Sequence, residues 1–355
     1  MAIIQQLQFR PSALISVVVV NWNRRELLHA SLRSLQRQQG VRFEIIVVDN
    51  GSDDGSAEMV AQEFAHRPSA TDPTVHLIQN RENRGFCAAN NQGIAAAGGQ
   101  FIALLNNDAE ADPGWLHALW RVFEGRADVG MAASKILVYE DPQRIDKAGH
   151  LIYLDGQNRG RGMGAPDDGR YDQMEEALWP DGCAAMYRKQ MLDEIGGFDE
   201  DFFAYGDDAE LGLRARMAGW RCLYVPDAVV RHHRGSTLGL HSARRLELIE
   251  RNRVLLAVKL FPGSLLWRNL MYYAARLAAG AWASFRGTEE TAWFPGWRGK
   301  LRMARALIAG DLQALRLAPR MWRKRRELEK IRKLSPREVR QLIERFRMPL
   351  ADVLK

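Results

Sequence analysis

The sequence is poor in cysteine and lacks most of the short motifs by which enzymes are recognised. Its three cysteines, Cys87, Cys183 and Cys222, are spaced neither as a disulfide framework nor as zinc ligands, and we expect a reducing, cytoplasmic compartment. The N-terminus has no basic segment ahead of a long apolar run, so no signal peptide is predicted. A GxSxG elbow, a Walker A loop, an HExxH motif and a Rossmann GxGxxG fingerprint are all missing, which removes the signatures of the commonest hydrolases and nucleotide-binding enzymes.

Charge is distributed unevenly along the chain. Residues 241–355 contain 26 Lys and Arg against 10 Asp and Glu, a net charge of +16, whereas residues 1–240 contain 24 against 33, a net charge of −9. Such a division predicts different partners for the two regions. We expect the acidic region to hold a cation and the basic region to meet an anionic surface. The chain is divided accordingly into an N-terminal tail (1–13), an α/β domain (14–240) and a basic helical region (241–355).

Strand and helix signals alternate in the first part of the chain. Apolar runs such as ISVVVV and FEIIVV predict strands that are buried on both faces, and segments with helical periodicity separate them. This alternation predicts an α/β fold with a doubly wound, mostly parallel sheet flanked by helices. Residues 130–205 read as irregular, with exposed glycine-rich loops, and the chain from about residue 241 onwards reads as helices.

Polar clusters follow three of the predicted strands. They are Asn21 with Asn23, Asp49 with Asn50, and Asn106 with Asn107 and Asp108. Ligands of parallel sheets bind outside the C-terminal ends of the strands, which makes these residues candidates for holding a nucleotide, although turns and helix caps are the alternative. Asp108 is the sharpest candidate, because a carboxylate beside substrate phosphates is the usual ligand of Mg²⁺ or Mn²⁺.

The segment ENRGFCAANNQGI (82–94) offers a second nucleotide contact. Asn83, Gly85 and Asn90 would lie beside the nucleotide in that interpretation. In the alternative, Asn83 caps a helix whose small residues allow close packing on the sheet. The residues by themselves leave both interpretations open.

Two later segments contain acid–base and metal-binding side chains. Asp207 and Asp208 follow a glycine-rich, aromatic loop and begin an amphipathic helix, where they would complement the helix dipole. Two adjacent carboxylates in a cleft would instead raise one pKa towards the range of a general base. His232 and His233 follow a short strand; imidazole suits Mn²⁺, and neighbouring residues on a strand face opposite sides, so only one of them is expected to be a ligand.

Residues 264–285 are long and apolar enough to suggest a transmembrane helix. Arg268, Asn269 and Arg276 fall within about 100° on a helical wheel and interrupt the apolar surface. We therefore expect a helix that lies at an interface or packs on its neighbours, and we predict no membrane-spanning helix.

Taken in order, these segments resemble the family 2 glycosyltransferases of GT-A fold. The likeness covers about residues 14–240 and rests on ISVVVVNWNR, EIIVVDNGSDDGS, ENRGFCAANNQGI, LLNNDAEADPGWL, DGCAAMYRKQMLDEIGGFDEDFFAYGDDAELGLRARMAGW and VVRHHRGST. It is greatest to the rhamnosyltransferase-like branch that builds bacterial cell-surface polysaccharides. A QxxRW motif, typical of processive members, is missing, and the resemblance therefore implies transfer of single sugars.

The resemblance also implies roles for individual residues. Asp49 would contact the nucleotide base, and Asp108, the last position of a DxD-type motif that has Asn106 in place of its first Asp, would bind metal and donor diphosphate. Asp208 occupies the second acidic position of the family's ED motif and would be the catalytic base. Asp207 replaces the more usual Glu and would assist it or contact the acceptor.

A late histidine of the family supplies a further metal ligand. Its HxxGx[ST] spacing matches His232, Gly235 and Thr237, and the choice between His232 and His233 remains open.

The implied reaction is an inverting transfer, dependent on Mg²⁺ or Mn²⁺, of a sugar such as rhamnose. The donor would be a dTDP- or UDP-sugar, and the acceptor a hydroxyl of a glycan precursor linked to a polyprenyl lipid. A nucleotidyltransferase is one alternative, but the loop after the first strand, NWNRREL, lacks the glycines it needs. A non-catalytic, membrane-bound partner of the same fold is another, and the presence of Asp108 and Asp208 argues against it.

The basic C-terminal region has no motif of its own. It is predicted to place the enzyme peripherally at the anionic inner face of the cell membrane, and the alternative is a packing or homo-oligomerisation region. The cationic segment RMWRKRRELEKIRK (320–333) is accompanied by no groove-reading motif, so we do not expect nucleic-acid binding.

Overall fold

The computed structural model describes residues 15–65, 73–234, 242–286 and 296–353. The predicted tail (1–13) and the Gly235 and Thr237 positions of the late histidine motif lie outside the described residues.

Twelve strands are present in the described part of the chain. Their bounds are β1 Ile15–Asn21, β2 Phe43–Asp49, β3 Thr74–Gln79, β4 Phe101–Leu105, β5 Ala109–Ala111, β6 Val129–Val138, β7 Ile145–Lys147, β8 His150–Ile152, β9 Asn158–Gly160, β10 Glu175–Ala177, β11 Ala184–Arg188 and β12 Arg221–His232. Ten of them form one mixed sheet in the order β10-β12-β6-β11-β4-β1-β2-β3, with β5 beside β12 and β7 beside β6. The strands β8 and β9 form a separate hairpin.

Helices flank the sheet and make up the C-terminal region. Their bounds are α1 Arg25–Gln36, α2 Ser56–Glu63, α3 Phe86–Ala96, α4 Trp115–Arg121, α5 Lys189–Ile195, α6 Asp207–Met217, α7 Ala243–Leu260, α8 Gly263–Leu266, α9 Asn269–Arg286, α10 Gly296–Leu328, α11 Pro336–Arg345 and α12 Leu350–Val353. A 3₁₀ turn, Glu200–Phe202, precedes α6. The predicted α/β fold with a helical C-terminal region is confirmed.

The first four strands pair in parallel with one another, as predicted. Alternate residues of β1 contribute to the two apolar layers, with Val17 and Val19 on one face and Val18 on the other. The helix α3 packs closely on the second face, since a Cβ at Gly93 would lie 2.4 Å from Cγ1 of Val18. The register pairs Asn21 with Asp49, so the polar strand ends meet at one edge of the sheet.

The prediction that residues 130–205 are irregular is wrong for its longest element. The strand β6 is buried along nearly its whole length and lies between β11 and β12. Its sequence, VGMAASKILV, places a glycine, a serine and a lysine among apolar residues, so no continuous apolar run marks it. Tertiary burial on both faces makes it a strand.

Buried ion pairs join the C-terminal helices to the α/β part. Nζ of Lys259 on α7 lies 2.6 Å from carboxylate oxygens of both Asp199 and Glu210. Arg276 on α9 lies 2.6 Å from Asp155 and 2.9 Å from Glu250. Within the described ranges, no helix combines the length and the apolar character needed to cross a bilayer, in agreement with the prediction for residues 264–285.

Candidate active site

A chain of hydrogen bonds joins three of the polar strand ends. Nδ2 of Asn107 donates to Oδ1 of Asn21 at 2.7 Å, and Nδ2 of Asn21 donates to Oδ2 of Asp49 at 3.1 Å. All three side chains are buried. Because both oxygens of Asp49 accept hydrogen bonds, the second from the backbone N–H of Ser52 at 2.9 Å, the carboxylate is held in one orientation at the sheet edge.

Asn23 fixes the loop that follows β2. Its backbone takes a positive φ of 51°, its N–H donates to Oγ of Ser52 at 2.9 Å, and its Oδ1 accepts from the N–H of Asp53 at 2.8 Å. The structure therefore gives Asn23 a positioning role beside Asp49.

The segment 82–94, the second candidate for a nucleotide contact, packs closely against the loop that contains Phe203. Oδ1 of Asn83 accepts from the N–H of Gly85 at 2.9 Å and from Nδ2 of Asn50 at 2.9 Å. Gly85 has a φ of 86°, and a Cβ there would lie 2.4 Å from the ring of Phe203. The side chain of Asn90 is buried within α3 and donates to the carbonyl of Phe86 at 2.9 Å. Asn83 thus connects to the Asp49 edge through Asn50, whereas the described contact of Asn90 is internal to its helix.

Asp108 and His232 meet at the junction of β4, β5 and β12. Nε2 of His232 lies 3.4 Å from Oδ1 of Asp108, and Nδ1 lies 2.8 Å from Oδ2 of Asp146. Burial disfavours the imidazolium, but Cys183 and the carboxylates of Asp108 and Asp146 raise the pKa of His232 well above its usual value. The same surroundings that favour a proton at Nε2 favour a divalent cation there.

The residues fit a divalent metal ion by their chemistry. A carboxylate oxygen and an imidazole nitrogen face each other, and Asp146 orients the imidazole from behind, which is a common outer-shell arrangement at metal sites. His233 faces elsewhere: its ring stacks on Tyr139 at 3.6 Å between centroids, and its Nδ1 lies 3.2 Å from the exposed Glu140.

The acidic pair begins α6. Asp207 is buried, Asp208 is nearly so, and Oδ1 of Asp208 accepts from the N–H of Ala209 at 2.7 Å. Burial and the neighbouring Asp208 raise the pKa of Asp207 well above its usual value. Burial also raises the pKa of Asp208, and His150 opposes that rise. One of the two carboxylates is thereby placed closer to the range of a general base.

Four residues that the sequence interpretation did not single out connect Asp208 to the Asp108–His232 pair. Nε2 of His150 lies 3.5 Å from Oδ2 of Asp208 and 2.8 Å from Oδ2 of Asp181. Nζ of Lys147 lies 2.9 Å from that same oxygen of Asp181 and 3.7 Å from Asp146.

Through Asp146 this buried chain continues to His232 and Asp108. Ligand atoms of His150, Asp181 and Asp208 lie within 4.8 Å of one another, but the ammonium group of Lys147 already supplies Asp181 with a cation. We therefore regard them as a charge network that orients Asp208. The signal in the sequence was weak, consisting of polar residues in the segment DKAGH.

The helix α7 holds the loop that leads into the acidic pair. Nδ2 of Asn252 lies 2.9, 2.8 and 2.6 Å from the carbonyl oxygens of Phe202, Ala204 and Tyr205. Phe203, Tyr205 and Gly206 have positive φ values of 63°, 68° and 72°, a range of φ that costs energy in the two aromatic residues. A side chain from the C-terminal region therefore maintains the backbone in front of Asp207.

Comparison with known proteins identifies the class to which this fold and site belong. A family model described as glycosyl transferase family 2 matches residues 16–196, about half of the chain, and the chain belongs to that family. This confirms the family predicted from the motifs.

Among curated relatives, the chain is similar to the N-acetylglucosaminyl-diphospho-decaprenol L-rhamnosyltransferase of Mycobacterium tuberculosis. The two are 27% identical over 251 residues, which cover 65% of this chain and 79% of the relative. The O-antigen biosynthesis protein RfbC of Myxococcus xanthus is 27% identical over 231 residues, which cover 63% of this chain and 17% of that protein. The rhamnosyltransferase likeness agrees with the predicted branch.

Solved structures show the same fold. The mannosyltransferase PcManGT from Pyrobaculum calidifontis, in complex with GDP-Man and Mn²⁺, matches with a TM-score of 0.53 and 21% identity over 87% of this chain and 88% of that one. GalNAc-T7 with UDP, GalNAc and Mn²⁺ matches with a TM-score of 0.56 and 17% identity, over 72% of this chain and 49% of that one. These likenesses confirm the GT-A fold.

Proposed function

We propose that the protein is an inverting glycosyltransferase that moves one sugar from a nucleoside-diphosphate sugar to a hydroxyl of a lipid-linked glycan precursor. The observation that carries this proposal is the continuous buried network that joins Asp208 to the Asp108–His232 pair. The network holds the candidate general base, Asp208, at a fixed position relative to the candidate diphosphate site at Asp108 and His232. A transfer between two bound substrates requires such fixed positions.

The donor binds along the edge formed by Asn21, Asp49 and Asn107 in this proposal. Asp49 is fixed by its own hydrogen bonds and accepts from the nucleotide base, while Asn107 and Asp108 lie towards the diphosphate. A dTDP- or UDP-sugar is the proposed donor class, and rhamnose is the proposed sugar because a relative is named an L-rhamnosyltransferase.

Asp108 and His232 are the residues that would hold Mg²⁺ or Mn²⁺. The ion supplies positive charge that stabilises the leaving diphosphate. Structures of the same fold that contain Mn²⁺ support this assignment, as does the outer-shell contact of Asp146 with His232.

Asp208 removes the proton of the acceptor hydroxyl. The hydroxyl oxygen forms its bond to the anomeric carbon on the face opposite the diphosphate, and the bond from that carbon to the diphosphate oxygen breaks, so that the configuration inverts. His150 orients Asp208, and Asp207, whose pKa is raised by burial and by the neighbouring Asp208, assists that base or contacts the acceptor. No covalent enzyme intermediate is needed.

We further propose that the reaction takes place at the cytoplasmic face of the cell membrane, where a polyprenyl-linked acceptor is available. The two alternative functions receive less support. A nucleotidyltransferase would need a glycine-rich loop after β1, and Asn23 and Arg24 occupy that position. A non-catalytic partner would not need an almost buried carboxylate with a raised pKa at the end of a network that leads to Asp108 and His232.

The test is protection from thermal unfolding by a panel of nucleoside diphosphates, with and without Mn²⁺. We expect one base to raise the unfolding temperature in the presence of Mn²⁺ and the rise to vanish in Asp108→Asn. Glu82→Gln, which removes an exposed carboxylate near the same edge, is the matched control and should behave as wild type. The proposal is overturned if no nucleotide protects the wild type. NMR of the transferred sugar's anomeric proton then tests inversion, and a retained configuration contradicts that part.

A further inference from the structure

The helix α9 has its polar and apolar faces exchanged relative to an ordinary surface helix. Over residues 269–282 every exposed side chain is apolar, and the members of this outward face are Leu270, Met271, Ala274, Ala275, Leu277, Ala278, Ala281 and Trp282. Its polar residues face the protein: Nε of Arg276 contacts Asp155 at 2.6 Å, and Oη of Tyr273 donates to Asp311 at 2.6 Å. A surface helix of a soluble protein has the opposite arrangement.

The outward face of α9 is large as well as apolar. Leu270 is 74% exposed and Trp282 is 61% exposed, and Trp267, just before the helix, is also largely exposed. Contiguous apolar patches of this kind mark contact surfaces, because isolated apolar side chains are common on a monomer whereas extended patches are not.

The helix α10 presents a second apolar stripe. Trp297, Leu301, Ile308, Leu312 and Leu315 are exposed and fall within about 60° on a helical wheel. An arginine row borders this stripe along one side, and its exposed members over residues 296–316 are Arg298, Arg302, Arg305 and Arg316. Between residues 296 and 323, a described range, no acidic side chain is exposed.

We propose that the outward faces of α9 and α10 lie in the interfacial layer of an anionic membrane. This inference deepens the proposed function and rests on it for the lipid-linked acceptor. Apolar side chains with tryptophans and an adjoining arginine row match the acyl boundary and the phosphate headgroups of a bilayer. A second copy of the chain is a poorer occupant, because a two-fold contact would bring arginine rows together without acidic partners.

The surface also has a direct connection to the reaction site. The inward side of α9 contacts Glu250 through Arg276 at 2.9 Å, and Glu250 lies on α7, whose Asn252 holds the loop before Asp207. A membrane contact at α9 would therefore hold Asp207 and Asp208, where the acceptor is proposed to bind, at a fixed distance from the bilayer.

The experiment is flotation of the full chain with vesicles of phosphatidylcholine alone or mixed with phosphatidylglycerol. Wild type should float with the mixed vesicles and not with the neutral ones, and Leu270→Glu/Met271→Glu should reduce the floated fraction by about tenfold or more. Met174→Glu, at an exposed apolar residue outside these helices, is the control and should float as wild type. Arg302→Glu/Arg305→Glu should lose the preference for the anionic lipid.

Two further measurements separate the possible results. Nucleoside-diphosphate protection with Mn²⁺ should be the same in Leu270→Glu/Met271→Glu and in wild type, so that a failure of membrane binding is distinguished from a failure of the donor site. Equal flotation of wild type and this variant overturns the proposal. So does light scattering that shows a wild-type dimer which the double variant abolishes, since the surface would then belong to a second copy.

Discussion

Replacing Asn252 by alanine tests whether the C-terminal region takes part in the reaction. The amide group carries two hydrogens, which it shares among the three carbonyl oxygens of the loop before Asp207. Two hydrogen bonds of about 1 kcal/mol each make the loss about 2 kcal/mol. The N–H of Cys87 still donates to the carbonyl of Phe203 at 3.2 Å, and Arg251 still donates to that of Phe202 at 2.8 Å. The loss therefore falls first on the backbone at Ala204 and Tyr205.

A loss of about 2 kcal/mol corresponds to a change of about 30-fold in the ratio of ordered to released loop. We therefore expect turnover to fall in Asn252→Ala by up to about 30-fold, because Asp208 is displaced from its position when the loop is released. Donor binding should be unchanged, since the edge formed by Asn21, Asp49 and Asn107 makes none of these contacts.

The assay is the initial rate of nucleoside-diphosphate release from the donor identified by thermal protection. Arg244→Ala, at an exposed position on the same helix, is the matched control and should retain the wild-type rate. The reasoning is refuted if Asn252→Ala retains full turnover, or if turnover and nucleotide protection decline together, since the second result would mean general unfolding.

Three further predictions concern the acidic residues. Asp208→Asn should lower turnover by about 10²–10⁴-fold and leave nucleotide protection intact, as initial rates and thermal scans will show. Asp146→Asn should raise the Mn²⁺ concentration needed for nucleotide protection by about 10–100-fold, and an unchanged Mn²⁺ titration would contradict the assigned outer-shell role. Burial alone would raise the pKa of Asp199, but Lys259 and Lys324 lower it to about 2, which is below the value in the unfolded chain. The ionised carboxylate therefore stabilises the fold above about pH 4. This contribution is lost as the pH falls towards 2. Asp199→Asn should therefore lose about 2 kcal/mol of unfolding free energy at neutral pH and show a flatter decline between about pH 5 and 3 in urea titrations; an equally steep decline would contradict the ion pair.

The first four strands could be predicted from the sequence because each is a local apolar run that ends in polar residues. Their parallel pairing brings Asn21 beside Asp49, and the meeting of these side chains at one edge follows from the alternation of strands and helices alone. The motif order was sufficient to indicate the family for the same reason, since each motif is a short local segment.

The network between Asp208 and Asp108 could not be predicted in this way. Asp146, Lys147 and His150 lie in a segment that reads as a loop. Lys147 and His150 contact Asp181 because β7, which contains Lys147, pairs with β6, and β6 lies beside β11. The polar stripe of α9 could be predicted from the sequence, because helical periodicity places Asn269 and Arg276 on one face. The sequence could not show whether that face turns towards solvent or towards the protein. The buried carboxylates of Asp155 and Glu250 turn it inwards.

The position of β12 has a consequence for how the protein is made. It is the last strand of the described chain to leave the ribosome, yet it inserts between β6 and β10 in the sheet. His232 reaches Asp108 only at that moment, so the Asp108–His232 pair is completed after every other strand of the described residues has been synthesised. Until then the nascent sheet exposes the edge of β6, and pairing across so long a stretch of sequence is a slow step. Synthesis therefore passes through a stage at which the edge formed by Asn21 and Asp49 can already be assembled while His232 has not yet reached Asp108.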